Sequence, residues 1–235
     1  MNVLITGASR GIGFEAAKAL CGMGHTVLAV SRDLEGLRRL ELDVQSADHR
    51  AQLHALPFSI TDEDLEKELL PRVRHLAPEL HVLVNNAGAL LNKPFADITA
   101  GELELVYKVN VFAPFRLAQA VLPLMGGRAG AHIVNIGSMG GVQGSAKFPG
   151  LSAYSSSKAA LANLSELLAE ELKDRKIAVN CLALGAAQTE MLKEAFPGYE
   201  APLTAEEMGS FVAWFAANGQ RYFNGKILPV ALSTP

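Results

Sequence analysis

Short apolar runs alternate along the chain with longer segments of helical period. "VLIT", "TVLAV", "HALPFSI", "HVLVNN", "AHIVNIG", "KIAVNCLAL" and "GKILPV" are rich in Val, Ile and Leu and end at turn residues, as strands do. Seven such runs with helices between them predict an α/β fold, a doubly wound parallel sheet of about seven strands with helices on both faces. Thr99 with Glu102 and Thr204 with Glu207 have capping-box spacing, and Thr61 opens an acidic first turn, so helices are expected to start at all three places. No internal repeat, low-complexity tract or linker interrupts this alternation, which predicts one domain over residues 1–235. In an open parallel sheet, ligands bind beyond the carboxyl ends of the strands, so function is sought in the residues just after each run.

Composition narrows the class. A hydrophobic share of 49%, 21 glycines and only 19% charged residues describe a chain that buries a core rather than a disordered one. The net charge is −3 and no dense Lys/Arg run is present, so no nucleic-acid footprint is expected; "GLRRL" reads as an exposed helix face. Apolar runs are broken by Gly, Pro or charge well before the roughly 18 to 20 residues that cross a bilayer. "MNVLITGASRGIG" has no basic n-region and too short an apolar run for a signal peptide, so a cytoplasmic location is expected. Cys21 and Cys181 lack CxxC spacing and the six histidines lack HExxH spacing, so neither disulfide nor metal site is expected.

Two stretches carry chemistry. Directly after the first run comes "TGASRGIG", Thr6 to Gly13, leading into an apolar helix that runs to about Met23. Glycines at 7, 11 and 13 permit a tight turn and a close approach of backbone to a pyrophosphate, while the helix N-terminus offers free N–H donors. The second stretch is "YSSSK": on a helix, Tyr154 and Lys158 stand one turn apart on one face, close enough for an ammonium to act on a phenol. Those two residues alone leave the alternative open, a helix turn in which Tyr154 simply packs on a neighbour.

TGxxxGxG differs from GxGxxG and resembles the short-chain dehydrogenase/reductase family. The resemblance runs over essentially the whole chain: "NNAG" at 85–88 follows the fourth strand, "VYKVNVF" carries Asn110, "NIGSMGG" carries Ser138, and YxxxK is Tyr154 with Lys158. It implies a Rossmann-type fold and a nicotinamide cofactor held by Thr6, Gly7, Ser9, Arg10, Gly11, Ile12 and Gly13. Ser31 and Arg32 would flank the adenosine ribose, Ser59 and Ile60 the adenine, and Asn86, Ala87 and Gly88 the adjoining strand end. Gly185, Ala187 and Thr189 match the positions that contact the nicotinamide carboxamide and phosphates. Ser138 would polarise a substrate oxygen and Tyr154 would exchange its proton. Lys158 would hold the ribose and lower the tyrosine pKa, which should fall by about two to three from near 10 for efficient acid–base work at neutral pH. Asn110 would position a relay water.

Charge selects between the two nicotinamides. Ser31 stands where NAD-preferring members of the family carry Asp, and Arg32 and Arg10 could clamp a 2′-phosphate from two sides. NADP(H) is therefore expected in preference to NAD(H), with Asp33, one residue further on, as the complication. The pattern also departs from the family in three places. Sixteen residues separate Ser138 from Tyr154, more than is common, so "GVQGSAKFPG" should form an enlarged loop. Leu184 replaces the usual proline before Gly185, and Ser59 stands where an aspartate often touches adenine, both bearing on cofactor affinity.

The segment 191–204 is a short lid, and Leu90, Met139, Phe148, Met191, Phe196 and Tyr199 could line the cleft beneath it. The expected activity is reduction of a small-molecule ketone or aldehyde, or the reverse alcohol oxidation, with a 3-oxoacyl thioester as first substrate. The alternative is a non-enzymatic NADPH-binding regulator on the same fold. The resemblance further implies a homodimer or homotetramer, packed through the helices around 100–125 and 153–173.

Overall fold

In chain order the elements are β1 (Asn2–Thr6), α1 (Gly11–Gly22), β2 (Thr26–Ser31), α2 (Leu34–Ala47), β3 (Leu53–Pro57), α3 (Leu70–Leu76), β4 (Val82–Asn85), α4 (Ala100–Tyr107), α5 (Ala113–Val121), β5 (Ala131–Ser138), α6 (Ser152–Glu171), β6 (Ile177–Leu184), β7 (Ala187–Gln188), α7 (Glu190–Ala195), β8 (Leu203–Thr204), α8 (Ala205–Asn218) and β9 (Ile227–Val230). The computed structural model describes residues 1–47, 52–62, 64–126 and 130–232. Seven strands pair in parallel in the order β3-β2-β1-β4-β5-β6-β9, with β7 and β8 as a separate small pair. The predicted doubly wound sheet is therefore present, and its seven strands are the seven apolar runs.

Those runs are continuously apolar because both faces of the sheet are covered. In β1, Val3 and Ile5 point into one core while Leu4 points into the other; in β2, Val27 and Ala29 oppose Leu28 and Val30 in the same way. One core lies under α1, α2 and α8 (Leu20, Leu40, Val212), the other under α3, α5 and α6 (Val73, Val121, Ala169). Alternation of inner and outer residues, the mark of a half-exposed strand, has no place here. Among the described residues no helix is long and apolar enough to cross a membrane.

Local signals fixed two of the three expected helix starts. The Thr99 and Thr204 hydroxyls accept from the N–H groups of Glu102 and Glu207 at 3.3 and 3.1 Å, and each glutamate accepts in return from its threonine N–H at 2.8 Å. At Thr61 the expectation fails. Its hydroxyl is shared with Ser59 Oγ at 3.0 Å inside a turn closed by Asp62 N–H to Ser59 O, and helical winding begins only with a π-helical turn, Leu65–Leu69.

A buried polar cluster closes the amino-terminal side of the sheet. His132 on β5 is wholly buried, with Nδ1 3.1 Å from Ala216 O and Nε2 3.0 Å from Asn180 Nδ2. A carbonyl only accepts, so Nδ1 carries the proton and Nε2 accepts from the amide. Burial pushes the His132 pKa down to about 4.

Candidate active site

The sheet order reverses between β1 and β4, and the carboxyl ends of the strands there open into one cavity of about 680 Å³. All the predicted site residues line it except Thr6 and Asn110. Both exceptions are buried and tie the walls together. Thr6 Oγ1 accepts from the N–H groups of Asn86 and Ala87, each at 3.1 Å, and the Asn86 amide donates to the carbonyls of Thr6 and Gly7 at 2.9 and 3.1 Å. Thr6 thus positions the strand end beside the cavity.

The glycine loop needs its glycines for two distinct reasons. Gly7 takes φ = +68°, a backbone region that side chains disfavour. Gly13 has an ordinary φ, but a Cβ there would lie 2.2 Å from Asn86 Nδ2 and 2.4 Å from Gly7 O. The result is a bare backbone concavity at the start of α1, which fits a dinucleotide pyrophosphate.

Next to it, Ser31 Oγ donates to Ser9 Oγ at 2.9 Å and accepts from Asp33 N–H at 3.2 Å. Asp33 turns its carboxylate onto Gly36 N–H, at 3.1 Å, where it caps α2 rather than facing the cavity. Arg32 and Arg10 are both exposed at the cavity rim, and Arg10 pairs with Glu194 of α7 at 3.1 Å.

At the other end stand Ser138, Tyr154 and Lys158. Ser138 ends β5, Tyr154 lies in the first turn of α6 and Lys158 one turn later, and all three line the cavity. Lys158 is buried, with Nζ 2.7 Å from Ile136 O and 5.9 Å from the Tyr154 ring centroid. Burial pushes its pKa down to about 8, and the neighbouring Cys181 thiol opposes this weakly. The Tyr154 pKa moves opposite to expectation: burial raises it, and the Ser138 hydrogen bond offsets part of the rise. The Lys158 ammonium is spent on the Ile136 carbonyl, and desolvation weakens its charged form.

Asn110 sits in a second π-helical turn, Lys108–Phe112, between α4 and α5. Its amide is engaged on both sides: Oδ1 accepts from Ala89 N–H at 2.8 Å, and Nδ2 donates to Ala89 O and to Ser157 Oγ, each at 2.9 Å. The side chain therefore fastens the loop after β4 to α6.

All six residues expected beneath the lid, Leu90, Met139, Phe148, Met191, Phe196 and Tyr199, do line the cavity. Phe58, Thr61, Leu151 and Glu190 also line it and were not anticipated. Phe58 and Thr61 flank two predicted residues and could have been reached by extending that stretch. Nothing in the sequence signals Leu151 or Glu190.

A glycine-rich strand-to-helix turn at the switch point, together with a Ser–Tyr–Lys cluster, defines a dinucleotide-dependent oxidoreductase. The short chain dehydrogenase family model matches residues 1–200, and the chain belongs to that family of NAD(P)-dependent enzymes. It is 34% identical to the ketoacyl reductase HetN of Nostoc sp. over 81% of its length, and spans 65% of that protein. It is 30% identical to the 3-oxoacyl-[acyl-carrier-protein] reductase FabG of Salmonella typhimurium, covering 97% of this chain and 94% of that one. The Pseudomonas aeruginosa RhlG/NADP complex superposes with a TM-score of 0.87 at 28% identity, over 98% of this chain and 94% of that one.

Proposed function

We propose that the protein reduces a ketone or aldehyde to an alcohol with NADPH, or catalyses the reverse oxidation, and that a 3-oxoacyl thioester is its first substrate. The observation that carries this reading is the convergence of Ser138, Tyr154 and Lys158 on the cavity whose other end is the glycine loop. Similarity to 3-oxoacyl reductases supports the substrate.

NADPH, when bound, supplies the hydride. Gly11 and Gly13, at the start of α1, would hold its pyrophosphate by backbone N–H groups, with Gly7 shaping the turn through its N–H bond to Val30 O, and Lys158 would hold its ribose. Preference for the 2′-phosphate is supported by the free rim position of Arg32 and by Asp33 being engaged in capping α2, which removes the one carboxylate that would repel it. Ser138 donates to the carbonyl oxygen, and Tyr154 delivers its proton to that oxygen as the C=O π pair becomes the new O–H bond. Tyr154 starts protonated, since burial holds its pKa above the ordinary 10, and so is an acid in the reductive direction. Lys158 stabilises the tyrosinate left behind, and a water positioned by Asn110 would link Lys158 to solvent for reprotonation.

The enzyme would act in the cytoplasm, as one domain assembled into a homodimer or homotetramer. Exposed Leu103, Leu105, Phe112 and Phe115, on α4, α5 and the π-helical turn between them, support that assembly. The deciding experiment is a carbonyl and alcohol panel assayed by absorbance of NADPH and NADH. Turnover with NADPH, strongest among 3-oxoacyl thioesters, is expected; cofactor binding without any turnover would favour a regulatory protein instead.

A further inference from the structure

The substrate end of the cavity is walled by two segments adjoining the catalytic hydroxyls. Met139, Phe148 and Leu151 come from the enlarged loop between Ser138 and Tyr154; Met191, Phe196 and Tyr199 come from the lid. Four charged residues line the cavity, and none serves this end. Arg10 and Arg32 stand at the nucleotide rim, Lys158 is bound to Ile136 O, and Glu190 lies with Oε2 3.8 Å from where a Gly11 Cβ would be. A polyol would find few hydrogen-bond partners here and a phosphorylated or carboxylated substrate no cation. Phe148 and Tyr199, by contrast, leave 44% and 48% of their surface uncovered at the mouth.

The loop that brings Phe148 there is tied down. Lys147 Nζ donates to Gly140 O, Val142 O and Ser145 Oγ at 2.9, 2.6 and 2.7 Å, and Ser145 Oγ donates to Met139 O at 2.5 Å. At its base the loop lies directly on α6: a Cβ at Gly140 or Gly141 would stand 2.8 Å from Ser155 Oγ or from Ala159 N. Lys93 N–H donates to Gly150 O at 2.9 Å and holds the far end. The lysine charge is thus consumed inside the loop instead of being offered to a ligand.

We propose that this wall selects carbonyl substrates with an extended, uncharged, apolar arm, that Phe148 and Tyr199 clasp that arm, and that Lys147 is the positioning residue that sets Phe148. The proposal rests on the reductase reading and deepens it. Its test is a series of 3-oxoacyl N-acetylcysteamine thioesters from four to ten carbons, alongside a ketohexose, assayed with NADPH. Burying one methylene is worth about fourfold in kcat/KM, so a rise approaching about fourfold per CH₂ is expected along the series. Phe148→Ala should flatten the rise. Lys147→Met should raise KM for the ten-carbon substrate with kcat kept, and Lys147→Arg should restore much of the difference. Turnover that is flat along the series, or highest for the ketohexose, would overturn the apolar-arm assignment while leaving the reductase reading intact. A Lys147→Met enzyme with an unchanged chain-length profile would overturn the role of Lys147. No turnover of any carbonyl would overturn the reductase reading itself.

Discussion

Acid should destabilise the fold through His132 by a definite amount. Its ring is buried, gives its only proton to Ala216 O and accepts from the Asn180 amide, so protonation at Nε2 would set two donors against each other. The folded-state pKa is lowered from 6.5 to about 4, so the neutral ring stabilises the folded state fully above pH 6.5. That stability is lost as pH falls from 6.5 through about 4, and the loss levels off below. At about 1.4 kcal/mol per pH unit, the full loss is about 3 kcal/mol, a large part of the 5–15 kcal/mol that typically holds a domain together. Urea unfolding at pH 7, 5.5 and 4.5, for the wild type and His132→Gln, isolates this contribution because the carboxylates titrate in both proteins. The wild type should lose about 2 kcal/mol more than the variant across that range, whatever their difference at pH 7. Parallel stability profiles would refute the argument.

Three other substitutions probe the site. Tyr154→Phe should lower turnover by at least about a hundredfold while leaving the Kd for NADPH, read by fluorescence titration, within about twofold. Arg32→Asp combined with Arg10→Ala should shift the ratio of kcat/KM values from NADPH toward NADH; an unchanged ratio would remove both arginines from phosphate recognition. Gly13→Ala forces a methyl group against Asn86 Nδ2 and Gly7 O, and overpacking of this kind costs about 1–3 kcal/mol. It should lower Tm and weaken NADPH binding together.

What could be read from the sequence was whatever depends on neighbours along the chain. The strands were legible because burial on both faces writes unbroken apolar runs, and the caps at Thr99 and Thr204 because their partners stand three residues away. Ser138, Tyr154, Lys158 and the glycine loop were legible because each follows a strand end or opens a helix. What was missed depends on distant partners. The Thr6 hydroxyl is held by the N–H groups of Asn86 and Ala87, 80 and 81 residues on, and Arg10 pairs with Glu194, 184 residues on. The direction of the Tyr154 pKa could not be foreseen either, because it is set by how deeply the hydroxyl is buried. Thr61 failed because an acidic turn signal is weaker than the hydroxyl contact its neighbour Ser59 offers.

The bridge that Asn86 builds to the Thr6 and Gly7 carbonyls has an entropic side. One amide fixes the loop at the end of β1 to the loop at the end of β4, so the backbone donors at the start of α1 are aimed before a dinucleotide arrives. The entropy of ordering them is met when the chain folds and does not recur with each binding event.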